Sequence, residues 1–122
     1  MSQNKPIILL DPYPRTMDLL FSKENLNYLK KNFKLITAPN KNKNNFYEKN
    51  LPKADYIFGQ PNLPSSLISK STKLKAIFNV ESNFMDNMDY DYCFRKGIHV
   101  LATSPVFAQP VAEMAMGLTL SI

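Results

Sequence analysis

Residues that can bind an anion lie just after the first apolar run of the sequence. Residues 6–10, a β-branched and leucine run, predict a buried strand, and the turn-forming Asp11-Pro12-Tyr13-Pro14 and then Arg15 follow it. Ligands collect at the carboxyl edge of open α/β sheets, where this loop would lie. Tyr13 or Arg15 can therefore face a binding cleft; the alternative is that the segment is a simple proline-rich turn.

Other chemistry-bearing residue types are scarce. The single cysteine, Cys93, excludes an intramolecular disulfide framework and a cysteine-cluster metal site, and it suits a reducing cytoplasm. The three glycines, at positions 59, 97 and 117, are too far apart to form the glycine-rich turn that cradles a dinucleotide. We therefore expect neither a metal site nor a bound nicotinamide cofactor in this chain.

Composition narrows the class of protein further. The formal net charge of +5 invites a nucleic-acid interpretation, but the lysines gather among asparagines between positions 23 and 53, as on a solvated surface. The N-terminal apolar run is broken by Asp11 and Pro12, so neither a signal peptide nor a membrane span is expected. The sequence thus predicts one cytoplasmic domain that binds neither nucleic acid nor membrane.

Strand-like and helix-like patterns alternate along the chain. Predicted strands cover residues 6–10, 33–37, 56–58, 75–79 and 98–101, and predicted helices cover residues 16–31, 46–51, 65–69 and 89–95. Such alternation is typical of an α/β fold with a parallel sheet covered by helices on both faces. A flavodoxin-like strand order of 2-1-3-4-5 is the simplest topology for five such units.

The last helix is predicted to begin at Pro110, a favourable first helical residue. Residues 110–122 are apolar nearly all round, which requires burial on most of the helix surface. No glycine, asparagine or basic residue completes its last carbonyl groups. We expect this helix to continue past Ile122 and to pack against a part of the protein that is not in this chain.

Four segments keep a fixed order and spacing in the second half of the chain. They are residues 74–84, residues 87–89 with Asn87-Met88-Asp89, residues 95–100 with Arg95-Lys96-Gly97-Ile98, and residues 111–113 with Val111-Ala112-Glu113. Together they resemble the N-terminal half of the D-isomer-specific 2-hydroxyacid dehydrogenases, a family that includes phosphoglycerate, glyoxylate and formate dehydrogenases. The resemblance extends from about residue 54 to residue 120.

The resemblance implies a two-domain enzyme, commonly a homodimer, that interconverts D-2-hydroxy acids and 2-keto acids by hydride transfer with NAD or NADP. Residues 1–109 would form the N-terminal part of the substrate-binding domain, and residues 110–122 would begin the helix that crosses into a Rossmann domain. The family's cofactor turn, substrate arginine and catalytic histidine belong to later segments. His99 is therefore interpreted as structural, no catalytic residue is assigned, and the isolated fragment is expected to be inactive.

The resemblance also suggests site residues. In the family the loop after the fourth strand holds the substrate carboxylate, and successive backbone N–H groups can form such an anion nest. The matching residues are Val80, Glu81, Ser82, Asn83 and Phe84. Glu81 is unexpected there, since its charge would repel an anion unless it points away. By the same resemblance Phe107, Gln109 and Val111 would lie near the cofactor; the alternative for residues 80–84 is a mere strand-to-helix connector.

Two alternatives from another class share the five-unit alternation. A receiver-like signalling domain would place a phosphoacceptor aspartate at the carboxyl end of the third strand, but Asp55 precedes that strand. A flavodoxin-like binding module would carry a phosphate-gripping loop after the first strand, where this chain has Asp11-Pro12-Tyr13-Pro14. Both remain regulatory or binding alternatives to the dehydrogenase reading.

Overall fold

A five-stranded parallel sheet organises the chain, of which the computed structural model describes residues 4–81 and 83–122. Its strands are β1 (Ile7–Asp11), β2 (Lys34–Thr37), β3 (Tyr56–Gly59), β4 (Ala76–Phe78) and β5 (His99–Leu101). They are hydrogen-bonded in the order β2-β1-β3-β4-β5, and every pair is parallel. The predicted α/β class and flavodoxin-like strand order are both confirmed.

Helices connect the strands. They are α1 (Met17–Leu20), α2 (Lys23–Asn32), α3 (Lys43–Asn50) with a 3-10 turn at Leu51–Lys53, α4 (Ser65–Ile68), α5 (Tyr90–Arg95) and α6 (Ser104–Leu120). The prediction of one helix over residues 16–31 is wrong, because Ser22 interrupts it. The Ser22 hydroxyl accepts a hydrogen bond from the Asn25 backbone N–H over 3.2 Å and caps a new helix.

Helix α6 begins at Ser104 rather than at Pro110, so the predicted start is wrong. Pro105 lies in the first turn of this helix, where its missing N–H costs nothing, and Pro110 lies inside the helix. No residue of α6 is buried. Glu113 would lie in the first turn of a helix that begins at Pro110, but it lies in the second half of α6. Among the described residues, no helix is long and apolar enough to cross a membrane.

One face of the sheet carries the hydrophobic core. Leu9, Ile57 and Ile77 are paired in register across β1, β3 and β4 and are fully buried. The helices and loops of this side pack onto them through a shared set of buried side chains, namely Tyr47, Leu51, Leu63, Leu67, Ile68, Met88 and Cys93. Cys93 is a buried free thiol, and burial raises its pKa.

The opposite face is only half covered. Residues of α1 and α2 pack near β1 and β2, and Phe21 reaches Phe58 with ring centroids 4.9 Å apart. Farther along the sheet, Phe78 is half-buried and Leu101 is 48% exposed. An apolar depression of about 340 Å³ lies here, lined by Ile8, Leu29, Phe33, Tyr56, Phe58 and Phe78. In the described part of the chain, helices cover this face of the sheet less over β4 and β5 than over β1 and β2.

Candidate functional site at the carboxyl edge of the sheet

Three loops meet at the carboxyl edge of the sheet. Residues 12–16 follow β1, residues 60–64 follow β3, and residues 79–89 follow β4. Because β1, β3 and β4 are neighbours in a parallel sheet, these segments leave the sheet side by side, and we call them the carboxyl-edge loops. Open α/β sheets bind ligands outside this edge. A ligand held here can contact all three loops.

Arg15 and Glu81 join the first and the third of these loops. Arg15 Nε donates to Glu81 Oε1 over 3.0 Å, and Nη2 donates to Oε2 over 3.3 Å, so the pair is bidentate. The hydrogen bond to Glu81 and its charge raise the pKa of the Arg15 guanidinium. The carboxylate that the sequence marked as unfavourable for an anion is thus paired with a positive charge.

Gln60, in the middle loop, holds the backbone on both sides of residue 82. Its side-chain Oε1 accepts from the Glu81 backbone N–H over 3.1 Å, and its Nε2 donates to the Asn83 carbonyl over 2.9 Å. The two groups of one amide therefore fix the course of the β4 loop against the β3 loop. Ser82 itself lies outside the described residues.

The other residues predicted for the carboxylate loop differ in exposure. Val80 is half-buried, whereas Asn83 and Phe84 are exposed. The Phe84 ring packs edge-on against Tyr90, with centroids 5.2 Å apart. Among the described residues, the backbone N–H groups of Asn83 and Phe84 have no acceptor. As far as the described residues go, these two donors at the tip of the loop are open to a ligand.

Asn79 lies at the root of the same loop and carries an unsatisfied amide. The residue is 4% exposed, and neither its Nδ2 nor its Oδ1 has a hydrogen-bond partner among the described residues. Its backbone N–H donates to the Leu101 carbonyl over 2.8 Å, which keeps it in register with β5. A buried polar group without a partner is unfavourable, so this amide is a candidate for contact with a bound molecule or water.

The first loop is held by a buried carboxylate at the end of β1. Asp11 accepts from Lys43 Nζ over 2.6 Å and from the Tyr47 hydroxyl over 3.0 Å. The Lys43 ammonium also lies 4.9 Å from the centre of the Tyr13 ring. A Cβ at Gly59 would lie 2.5 Å from the Asp11 carbonyl oxygen, so only glycine fits there. These contacts fix the position from which Arg15 reaches Glu81.

Sequence reasoning missed most of these supporting residues. Lys43 and Tyr47 stand four positions apart on α3, a spacing that places them on one helix face, and this was the available signal. Gln60 and Asn79 gave no signal beyond their positions, Gln60 two residues after the third predicted strand and Asn79 at the end of the fourth. Tyr13 is 68% exposed and contacts Lys43 rather than the β4 loop.

The residues predicted to lie near a cofactor are all on α6. Phe107 is 50% exposed and Val111 is 63% exposed, and their spacing of four places them on the same side of the helix. The Gln109 amide donates to Glu113 Oε1 over 2.8 Å, within the same helix. In the described part of the chain, no hydrogen bond joins these three side chains to the carboxyl-edge loops.

The edge carries groups suited to holding an anion rather than to phosphoryl chemistry. The third strand ends at Gly59, not at an aspartate, and Asp55 lies at the opposite edge, where it accepts from the Ile7 backbone N–H over 2.9 Å. This placement disfavours the receiver-like alternative. No group of three His, Cys, Asp or Glu residues capable of holding a metal ion occurs among residues 4–81 and 83–122.

Comparisons with known proteins agree with this geometry. The family model of the D-isomer specific 2-hydroxyacid dehydrogenase catalytic domain matches residues 14–120. A phosphoglycerate oxidoreductase from Rhizobium etli is 38% identical, with a TM-score of 0.80 over 96% of this chain and 36% of its own. The PH0520 protein from Pyrococcus horikoshii OT3 is 20% identical and shares the fold, with a TM-score of 0.70 over 93% of this chain and 32% of its own. No curated protein matches significantly.

This chain therefore spans about a third of the length of the solved relatives that it matches. The family match covers nearly the whole sequence, and it includes the loop after β4, helix α5 and all of α6. On this match, the chain belongs to the D-isomer specific 2-hydroxyacid dehydrogenase family and carries residues of its catalytic domain.

Proposed function

We propose that this chain is the N-terminal substrate-domain fragment of an NAD(P)-dependent oxidoreductase that interconverts D-2-hydroxy acids and 2-keto acids by hydride transfer. The observation that carries the proposal is the family match over residues 14–120, in which the loop after β4 lies at the carboxyl edge of the sheet. Activity, cofactor and substrate of the whole enzyme are part of the proposal, because the chain covers only 36% of its Rhizobium etli relative.

The substrate carboxylate would be held by the loop of residues 80–84. The candidates are Val80, Glu81, Ser82, Asn83 and Phe84, whose backbone can offer successive N–H groups to an anion. Two features support this assignment: the N–H groups of Asn83 and Phe84 lack acceptors among the described residues, and Gln60 holds the loop in a defined course. The role of this chain would be to bind and orient the acid, not to move its proton or hydride.

The described residues supply no turn that fits the pyrophosphate of NAD or NADP. Gly59 is packed against Asp11, Gly97 ends α5 and Gly117 lies within α6. When bound to the whole enzyme, the cofactor would supply or accept the hydride. Of this chain, we propose only that Phe107, Gln109 and Val111 approach its nicotinamide end, which the exposure of α6 allows.

The proposal extends to assembly and location. We propose a homodimer for the intact enzyme, because α6 exposes Val111, Met114 and Leu118 to solvent, and such a surface favours association. We further propose that it acts in the cytoplasm, consistent with a single buried free thiol, and that it binds neither membrane nor nucleic acid, because its excess lysines are dispersed among asparagines.

The test uses the purified 122-residue chain in both directions: NADH or NADPH with the keto acids glyoxylate and hydroxypyruvate, and NAD or NADP with the hydroxy acid phosphoglycerate, which the Rhizobium etli relative suggests. We expect no change in nicotinamide absorbance, since the cofactor turn is missing. In a parallel NMR titration, glyoxylate should shift the backbone amide signals of Asn83 and Phe84 weakly, and neutral glycolamide should not. Measurable turnover would contradict the proposal that the chain is an inactive fragment. Amide signals of Asn83 and Phe84 that do not shift with glyoxylate would contradict the assignment of residues 80–84 as the carboxylate-binding loop.

A further inference from the structure

Glu81 places a negative charge in the loop proposed to receive an anionic acid. Left alone, this carboxylate would lower the local concentration of anions and compete with them for the loop's N–H donors. Its side chain is only 25% exposed, so solvent screens it incompletely. Some feature of the molecule must therefore offset Glu81 if the loop is to bind a carboxylate.

Arg15 provides that feature from a different loop. Its Nε and Nη2 both donate to Glu81, over 3.0 and 3.3 Å, so one face of the guanidinium is committed to the two carboxylate oxygens. Arg15 follows β1 and Glu81 follows β4, and the bond between them crosses over the end of β3, which lies between these strands. With both Glu81 oxygens occupied, the charge of this carboxylate is balanced.

We propose that Arg15 is a positioning residue that neutralises Glu81 and holds its carboxylate away from the loop's backbone N–H groups, so that the loop accepts a monoanionic acid. This inference rests on the proposed function of residues 80–84. Arg15 acts through Glu81 and does not contact the acid itself. Stability is an insufficient reason for the pair, since Arg15 is 53% exposed and exposed ion pairs stabilise proteins little.

A double-mutant cycle tests the positioning role of Arg15. It compares Arg15→Met, Glu81→Gln and the double variant with the wild-type 122-residue chain. Glyoxylate is titrated at constant ionic strength, and the amide shifts of Asn83 and Phe84 report its dissociation constant. Arg15→Met exposes the Glu81 charge and should weaken binding by about tenfold, the effect of one nearby unit charge at a protein surface. Glu81→Gln alone should leave binding equal or tighter, and the double variant should restore it to within about twofold of wild type.

Matched controls separate this effect from general charge loss or misfolding. Lys70→Met removes one positive charge from the exposed pair with Glu48, 2.9 Å apart, and should leave glyoxylate binding unchanged. Arg15→Lys keeps the charge without the bidentate fork and should bind more tightly than Arg15→Met, which a lost fold would not allow. Dispersed amide spectra of each variant confirm that the sheet is intact.

The outcomes divide clearly. Rescue of Arg15→Met by Glu81→Gln supports the positioning role. If the double variant binds as weakly as Arg15→Met, Arg15 contacts the acid directly and the inference is overturned; equal affinity of all variants overturns it as well. If glyoxylate does not shift the Asn83 and Phe84 amide signals of the wild-type chain, the proposed function fails and this inference fails with it. That outcome differs from failure of the inference alone, in which the wild-type chain still binds glyoxylate.

Discussion

At the residue scale, Asp55 shows how a single carboxylate ties the amino edge of the sheet. It accepts from the Ile7 backbone N–H over 2.9 Å and from Lys73 Nζ over 3.1 Å, and Lys75 Nζ lies 4.0 Å away. Burial alone would raise the pKa of Asp55, but these donors and charges outweigh it and hold the pKa below its usual range. The carboxylate is thus more favourable in the folded state than in the unfolded chain.

The sign of the pH effect follows from the lowered pKa. Asp55 contributes stability above its unfolded pKa of about 3.9, and this is lost as the pH falls through the folded value. We expect Asp55→Asn to lower the free energy of unfolding by about 1–3 kcal/mol near neutral pH, and by less in acid. Urea denaturation at acid and at neutral pH measures the free energy of unfolding, and Asp91→Asn at an exposed position is the control. An equal loss at both extremes would contradict the assignment.

Single residues also mark the limit of sequence reasoning. Glu81 could be recognised as anomalous from its type and position, but its partner is 66 residues away in sequence and belongs to another loop. Likewise, nothing local indicates that the Asn79 amide is buried and has no hydrogen-bond partner among the residues that the structure describes. Residues 80–84 could be assigned through a motif, whereas the contacts that define their electrostatics are non-local and needed the fold.

At the scale of elements, strands were predicted better than helices. The apolar runs of β1 and β3 are bounded by prolines, aspartate or glycine, and their positions agree with the prediction to within a residue or two. The predicted starts of α2 and α6 were wrong, because in each case a second residue suited to a helix start was present. Ser22 begins a second helix inside a pattern that read as one, and Pro105 precedes Pro110 as a first-turn proline.

The tie between α3 and β1 is an element-scale contact with a direct test. The Tyr47 hydroxyl donates to Asp11 from a fully buried position, and burial together with the Asp11 charge raises the Tyr47 pKa, so the phenol stays a neutral donor. Tyr47→Phe should destabilise the fold by about 1–3 kcal/mol, because a buried carboxylate loses a donor. Thermal or urea unfolding measures this.

A matched substitution on the surface shows whether the loss of stability in Tyr47→Phe comes from the buried hydrogen bond between Tyr47 and Asp11. Tyr28, on α2, is 66% exposed, and Tyr28→Phe should change the unfolding free energy by less than about 0.5 kcal/mol. If both variants are equally stable, the Asp11 contact contributes nothing and Lys43 alone balances the carboxylate. Loop 12–16 would then be held by the Lys43 interaction with Asp11 and Tyr13.

At the scale of the whole molecule, the chain leaves two apolar surfaces in contact with water. One is the sheet face around Tyr56, Phe58 and Phe78, which α1 and α2 cover only near β1 and β2. The other is α6, which has no buried residue. The alternation of strands and helices predicted the topology, but alternation alone does not say how far each helix reaches across the sheet. Coverage depends on helix length and position, which are tertiary properties.

These surfaces predict that the 122-residue chain self-associates, because contiguous apolar patches of several hundred Å² are rare on monomers. Val111, Met114 and Leu118 are 63%, 70% and 64% exposed at helical spacing on α6. Replacing all three by lysine should shift sedimentation equilibrium toward the monomer, since charges on that face resist burial.

Added charge alone must be separated from loss of the apolar stripe. Lysine at the exposed Asn27, Asn40 and Asn44 adds the same three charges on polar surface and should leave association nearly unchanged. If this control dissociates the chain as well, general repulsion is responsible and α6 is not the contact. If the α6 variant still associates while its helix content is preserved, the open face of the sheet is the surface that brings two copies together.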